Sequence, residues 1–210
     1  MSAKRIHIIR RGSGVHTRRA ARPPVPLPYL LVWLSLACLV PGHRAAADEA
    51  AWILVNTSEL TLQVMQGETV LRSFGNIAVG QNGVAGRREI NDGKTPLGTY
   101  RISDIRNGKQ TRFYRFFEID YPSLEDARRA FASGRISEAD LAAILHAHEY
   151  GRQPPASTPL GGNIGIHGLG TGDARVHQDY NWTDGCVALD NEQIDELAQW
   201  VRPGMTVVIR

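Results

Sequence analysis

Two short strings in this chain pair a reactive side chain with glycine: Ile166-His167-Gly168 and Thr183-Asp184-Gly185-Cys186-Val187. In each, an apolar run that reads as a strand meets the reactive residue. A thiol attacks a carbonyl only as thiolate. An imidazole can take its proton and later hand it to a leaving amine. Gly185 permits a tight turn and close approach of a substrate carbonyl. The backbone N–H groups around Asp184 and Gly185 are then candidates to face a developing oxyanion. Asp190, the next helix cap, lies too far along for its helix dipole to act on the sulfur, so His167 is the better activator. Such a base is expected to hold the thiol below its free pKa of about 8.5.

The cysteine count sharpens this reading. The chain has two cysteines, Cys38 and Cys186. Cys38 lies in an N-terminal segment ordered basic, apolar, small, which is the grammar of an export signal. The apolar stretch runs from Pro28 to Val40, Pro41-Gly42 breaks it, and Ala45-Ala46-Ala47 offers a cleavage site before Asp48. Residues 1–47 are therefore expected to be an export segment, and 48–210 one catalytic domain. Sec, twin-arginine (Arg18-Arg19) and lipoprotein (Cys38) routes are all compatible with it. Loss of the segment leaves Cys186 alone in an oxidising compartment, where spare thiols are usually paired or removed. That favours a working nucleophile.

Charge and hydropathy exclude other classes. Residues 1–47 carry eight of the 24 Lys and Arg and no Asp or Glu, so the rest holds 16 basic against 21 acidic residues. An acidic remainder argues against nucleic acid as a partner. No run of eighteen apolar residues is present, so membrane contact is expected only through a transient signal. His167, His177, Asp184 and Cys186 show no paired metal-ligand spacing, and neither metal nor organic cofactor is expected.

The elements that must carry these residues can be read from periodicity. Residues 51–121 alternate apolar and polar with glycine punctuation, as in Leu60, Leu62 and Val64, and predict strands. Residues 123–150 switch to helical period, with capping pairs Ser123/Asp126 and Ser137/Asp140. Leu141, Ile144, Leu145 and His148 fall on one helical face. Residues 163–166 predict a strand, 169–185 a polar loop and 187–189 another strand. A helix capped by Asp190 and a last strand over 206–209 complete the chain.

These motifs, in this order, resemble the L,D-transpeptidase catalytic domains of the YkuD type over nearly all of 51–210. The family's Thr-Pro-x-Gly-x-Tyr/Phe turn appears as Thr95-Pro96-Leu97-Gly98-Thr99-Tyr100, its Ile-His-Gly as residues 166–168, and its Ser/Thr-x-Gly-Cys-Ile/Val as residues 183–187. Asp184 and Ala188 depart from the commoner residues at their positions. The string Asn181-Trp182-Thr183-Asp184-Gly185-Cys186-Val187-Ala188-Leu189, with Asp120-Tyr121-Pro122, is similar to the YafK-like branch. The resemblance implies a mainly β (α+β) fold: an L,D-transpeptidase-type β-sandwich with mixed strands, a helical insert and a C-terminal helix. It implies an exported periplasmic or wall enzyme acting on peptidoglycan stem peptides, with Cys186 as nucleophile and His167 as its base. Gly168, Thr183, His177 and Arg175 are candidate substrate-binding residues. Transfer to an amine, hydrolysis by an L,D-carboxypeptidase or endopeptidase, and a non-catalytic wall-binding module remain distinct outcomes.

Overall fold

The computed structural model describes residues 49–210. The expected export segment, Cys38 and the cleavage site lie outside them. The chain opens as a meander of β1 (Trp52–Asn56), β2 (Thr61–Gln66) and β3 (Thr69–Phe74). Short β4 (Val84–Ala85) and β5 (Thr95–Pro96) pair with each other in parallel. The ten-residue β6 (Gly98–Asn107) leads to β7 (Arg115–Ile119), then to helices α1 (Leu124–Ala132) and α2 (Glu138–Glu149). After a loop come β8 (Gly165–Gly168), α3 (Ala174–Asp179), β9 (Val187–Leu189), α4 (Asn191–Leu197) and β10 (Thr206–Ile209).

Eight strands form one mixed sheet in the order β3-β2-β1-β10-β6-β7-β8-β9. The β1–β10 and β8–β9 pairs are parallel, and the other neighbours are antiparallel. β6 joins the two halves: Gly98–Arg101 pairs with β10, and Ile102–Asn107 with β7, with a register shift between Ile102 and Asp104. Such an irregularity bends a strand and increases its twist. One apolar core draws on both halves, with Ile53, Leu62 and Val64 from one and Phe117, Ile166 and Leu189 from the other.

Strand alternation then sets which side chains share a face. Phe117, Ile166 and Val187 point into the core, so Phe116, His167 and Ala188 share the opposite face. Cys186 stands two residues before Ala188 and therefore lies on the His167 face.

The helical insert follows its capping pairs. Asp126 N–H and Asp140 N–H donate to Ser123 Oγ and Ser137 Oγ, and each aspartate accepts back from the cap residue. Ala127, Ala130, Ile136, Ile144 and Leu160 form a second small core. On α2 the stripe runs through Ile144 and Ala147, with Leu141 packed beside it. Helix α4 begins at Asp190, whose carboxylate accepts from Gln193 N–H, and buries Ile194 and Leu197. The expected 169–185 loop differs in containing α3. Six residues are too few to show a helical period, and the signal there is the Asp173 cap, which accepts from Arg175 N–H.

Candidate active site

The turn that carries Cys186 is held by two threonines. Thr183 Oγ1 donates to the Cys186 carbonyl at 2.6 Å and accepts from Gly185 N–H at 3.2 Å. Thr95 Oγ1 reaches the same carbonyl at 3.5 Å and accepts from Gly80 N–H at 2.8 Å. The Thr-Pro turn is thus the back wall of the cysteine turn, ninety-one residues away in sequence. Gly185 has φ +123, and a Cβ there would run into the Lys94 carbonyl. Only glycine fits both the angle and the space.

His167 is buried in an aromatic wall. Phe113 stacks on it at 4.1 Å between ring centres, Phe116 at 6.0 Å, and Trp182 meets it edge-on at 5.8 Å. Its Nδ1 pairs with the Gly168 carbonyl at 2.8 Å. A carbonyl can only accept, so the proton sits on Nδ1 and Nε2 keeps its lone pair. Burial lowers the ring's pKa to about 4, against the opposing pull of the Gly168 bond. The imidazole therefore rests neutral, with Nε2 ready to accept a proton.

Cys186 is half-buried, and its thiol donates to the Asn163 carbonyl at 3.6 Å. It makes no hydrogen bond to His167. Burial pushes the thiol up to about 11, opposed by the Gly165 amide and the Arg88 charge. This is the reverse of the expectation that His167 holds the thiol below its free value. Half-buried and unpaired with an imidazolium, the sulfur keeps its proton.

Cys186 and His167 line one cavity of about 570 Å³, together with Thr183, Asp184 and Trp182. Three arginines, Arg88, Arg106 and Arg112, also line it. The other expected site residues divide. Gly168 supplies the carbonyl that orients His167, and a Cβ there would meet Ile194 and Asn191 of α4. Asp184 is exposed, and its carboxylate accepts from Gln81 Nε2 at 2.9 Å. The Gly185 N–H expected to face an oxyanion is spent on Thr183. His177 lies buried behind Trp182, accepting the indole N–H on Nδ1 at 3.3 Å. Arg175 is exposed on α3 and does not line the cavity.

Sequence reasoning missed Arg88, Arg106, Arg112, Phe113 and the Asn163 carbonyl. Nothing local marks them, because loops and strands far apart in the chain bring them to the cavity. Thr95 was visible inside its motif, but its contact with the cysteine turn was not.

A mostly β domain with a mixed sheet, a helical insert and this cysteine turn has the L,D-transpeptidase fold. Residues 50–209 match YkuD, the L,D-transpeptidase catalytic domain, and the chain belongs to that family. Among solved structures it is similar to the helical cell shape determining protein Pgp2 of Campylobacter jejuni. That likeness has 22% identity and a TM-score of 0.55, and it covers 78% of this chain and 48% of that one. It is also similar to Bd1075 of Bdellovibrio bacteriovorus, with 20% identity and a TM-score of 0.50 over 80% of this chain and 50% of that one. At these identities the likeness is one of fold, and the chain spans about half the length of either protein. No curated protein matches the sequence.

Proposed function

We propose that this protein is an exported L,D-transpeptidase acting on peptidoglycan stem peptides through a thioester on Cys186. Residues 1–47 serve as the export segment in this reading. The observation that carries it is the shared cavity of Cys186 and His167, on one sheet face of a YkuD-family domain.

The resting pair is a thiol and a neutral imidazole. For attack, the thiol leaves the Asn163 carbonyl and turns to His167 Nε2. As the S–C bond forms at the stem-peptide carbonyl, the proton passes from sulfur to Nε2. Collapse of the tetrahedral intermediate breaks the C–N bond, and the imidazolium returns that proton to the leaving amine. The Gly168 carbonyl steadies the imidazolium through Nδ1–H. An acceptor amine then attacks the thioester, loses its proton to His167 and restores the thiol. Water in the amine's place gives hydrolysis by the same route.

Incubation of the mature protein with tetrapeptide muropeptides tests the reading. Cross-linked dimers are expected. Tripeptides alone would make the protein an L,D-carboxypeptidase. Cys186→Ala should abolish either product, and turnover surviving it would overturn the mechanism.

A further inference from the structure

Residues 171–180, which include α3, lie between the end of β8 that carries His167 and the turn that carries Cys186. The chain is tied down on either side of them. Gly170 N–H donates to Asn191 Oδ1 at 2.9 Å, and Asn191 Nδ2 donates back to the Gly170 carbonyl at 2.9 Å. At the other end Val79 N–H donates to Asn181 Oδ1 at 3.0 Å. Between these ties every residue is exposed except His177. The bond from Trp182 Nε1 to His177 Nδ1, at 3.3 Å, is the one side-chain hydrogen bond that ties this segment to the rest of the chain among the described residues.

An indole nitrogen only donates, so Nδ1 of His177 keeps its lone pair, the proton sits on Nε2 and the ring is neutral. That Nε2 is buried without a partner. An unpaired buried donor costs stability, which an apolar side chain of similar size would avoid. What the imidazole supplies in return is the acceptor. The indole it holds lines the cavity and stands edge-on to both imidazoles, at 5.8 Å from His167 and 6.4 Å from His177 between ring centres. We propose that His177 is a positioning residue: by accepting the indole N–H it pins residues 171–180 and holds Trp182 against His167, so that the base stays aligned for the Cys186 proton. The hold requires a neutral His177, because a protonated ring donates from both nitrogens and cannot accept. Burial lowers its pKa, the Asp190 carboxylate at the α4 cap opposes that, and His177 and His167 disfavour each other's charge. Acid therefore releases the segment.

The inference rests on the proposed role of His167, and one arm of its test needs no substrate. Solvent exchange of the Trp182 indole N–H is followed by NMR, the resonance being assigned by its loss in Trp182→Phe. Relative to the intrinsic rate, exchange in the wild type should rise as the pH falls below about 6.5. His177→Phe keeps a ring and removes the acceptor. It should speed exchange about tenfold at neutral pH and lower kcat on muropeptides about tenfold with KM little changed, the effect of one buried donor left unpaired. His177→Asn places an oxygen where Nδ1 lies and does not titrate. It should recover most of both values and abolish the acid-linked rise. Equal exchange in the wild type and His177→Phe, or an acid response that survives in His177→Asn, overturns the inference. Should His177→Phe not fold, the His177→Asn comparison alone decides. Expected exchange in a wild type that turns over no muropeptide keeps His177 as the anchor and overturns the proposed function instead.

Discussion

Thr183 Oγ1 donates a 2.6 Å hydrogen bond to the carbonyl of Cys186, three residues further on. The same oxygen accepts from Gly185 N–H, so one hydroxyl ties both backbone groups that shape the cysteine turn. Replacing Thr183 by Val keeps the volume and removes both bonds. Leaving a buried donor unpaired costs about 1–3 kcal/mol. Thr183→Val should lower stability by about 2 kcal/mol in denaturant unfolding and reduce muropeptide turnover. Thr183→Ser should recover most of both. Unchanged stability in Thr183→Val would show that the hydroxyl does not hold the turn.

Gly185→Ala tests the turn from the other side. Its φ of +123 is a conformation that L side chains rarely adopt, and the added Cβ meets the Lys94 carbonyl. Strain of this kind costs about 1–3 kcal/mol. The variant should unfold at lower denaturant and lose activity out of proportion to that loss, because relief of the clash must displace Cys186.

The thiol pKa of about 11 gives a direction for labelling. The rate of iodoacetamide reaction at Cys186 should climb with pH through 8.5 and keep rising, with no plateau near neutrality. A plateau between pH 5 and 8, expected of a preformed thiolate–imidazolium pair, would contradict the neutral resting state. Cys186 should be the one labelled site of a chain that begins near Asp48.

Folding stability should fall as pH falls from about 6.5 towards 4. His167 is neutral in both states above 6.5, and the unfolded chain takes up its proton first because the folded pKa is only about 4. A gap of that size is worth about 3 kcal/mol at most. His177, also lowered by burial, acts in the same sense. Glu118 and Asp120, raised by burial, act in the opposite sense. The informative quantity is therefore the wild-type curve minus that of His167→Gln. This difference should fall between pH 6.5 and 4 and be flat above 7.

What was legible in advance was local. The apolar run over 163–166 reads as a strand leading into His167-Gly168, because a short apolar segment bounded by glycine fits that element. Ser123/Asp126, Ser137/Asp140 and Asp190/Gln193 announced three helix starts, because a cap satisfies N–H groups only a few residues away. The Gly185-Cys186 turn and the His167-Gly168 pair stood out because glycine beside a reactive side chain has few other uses. Tertiary structure alone decided the rest. Thr95 reaches the Cys186 carbonyl across a fold the spacing does not reveal, and the Asn163 carbonyl takes the thiol for the same reason. The direction of both pKa shifts depends on what covers the groups, and desolvation has no signature in residue order. His177 reads as a loop residue yet is buried under Trp182. Arg88, Arg106 and Arg112 stand far apart in the chain yet line one cavity with His167, since which charges meet depends on what folding brings within reach.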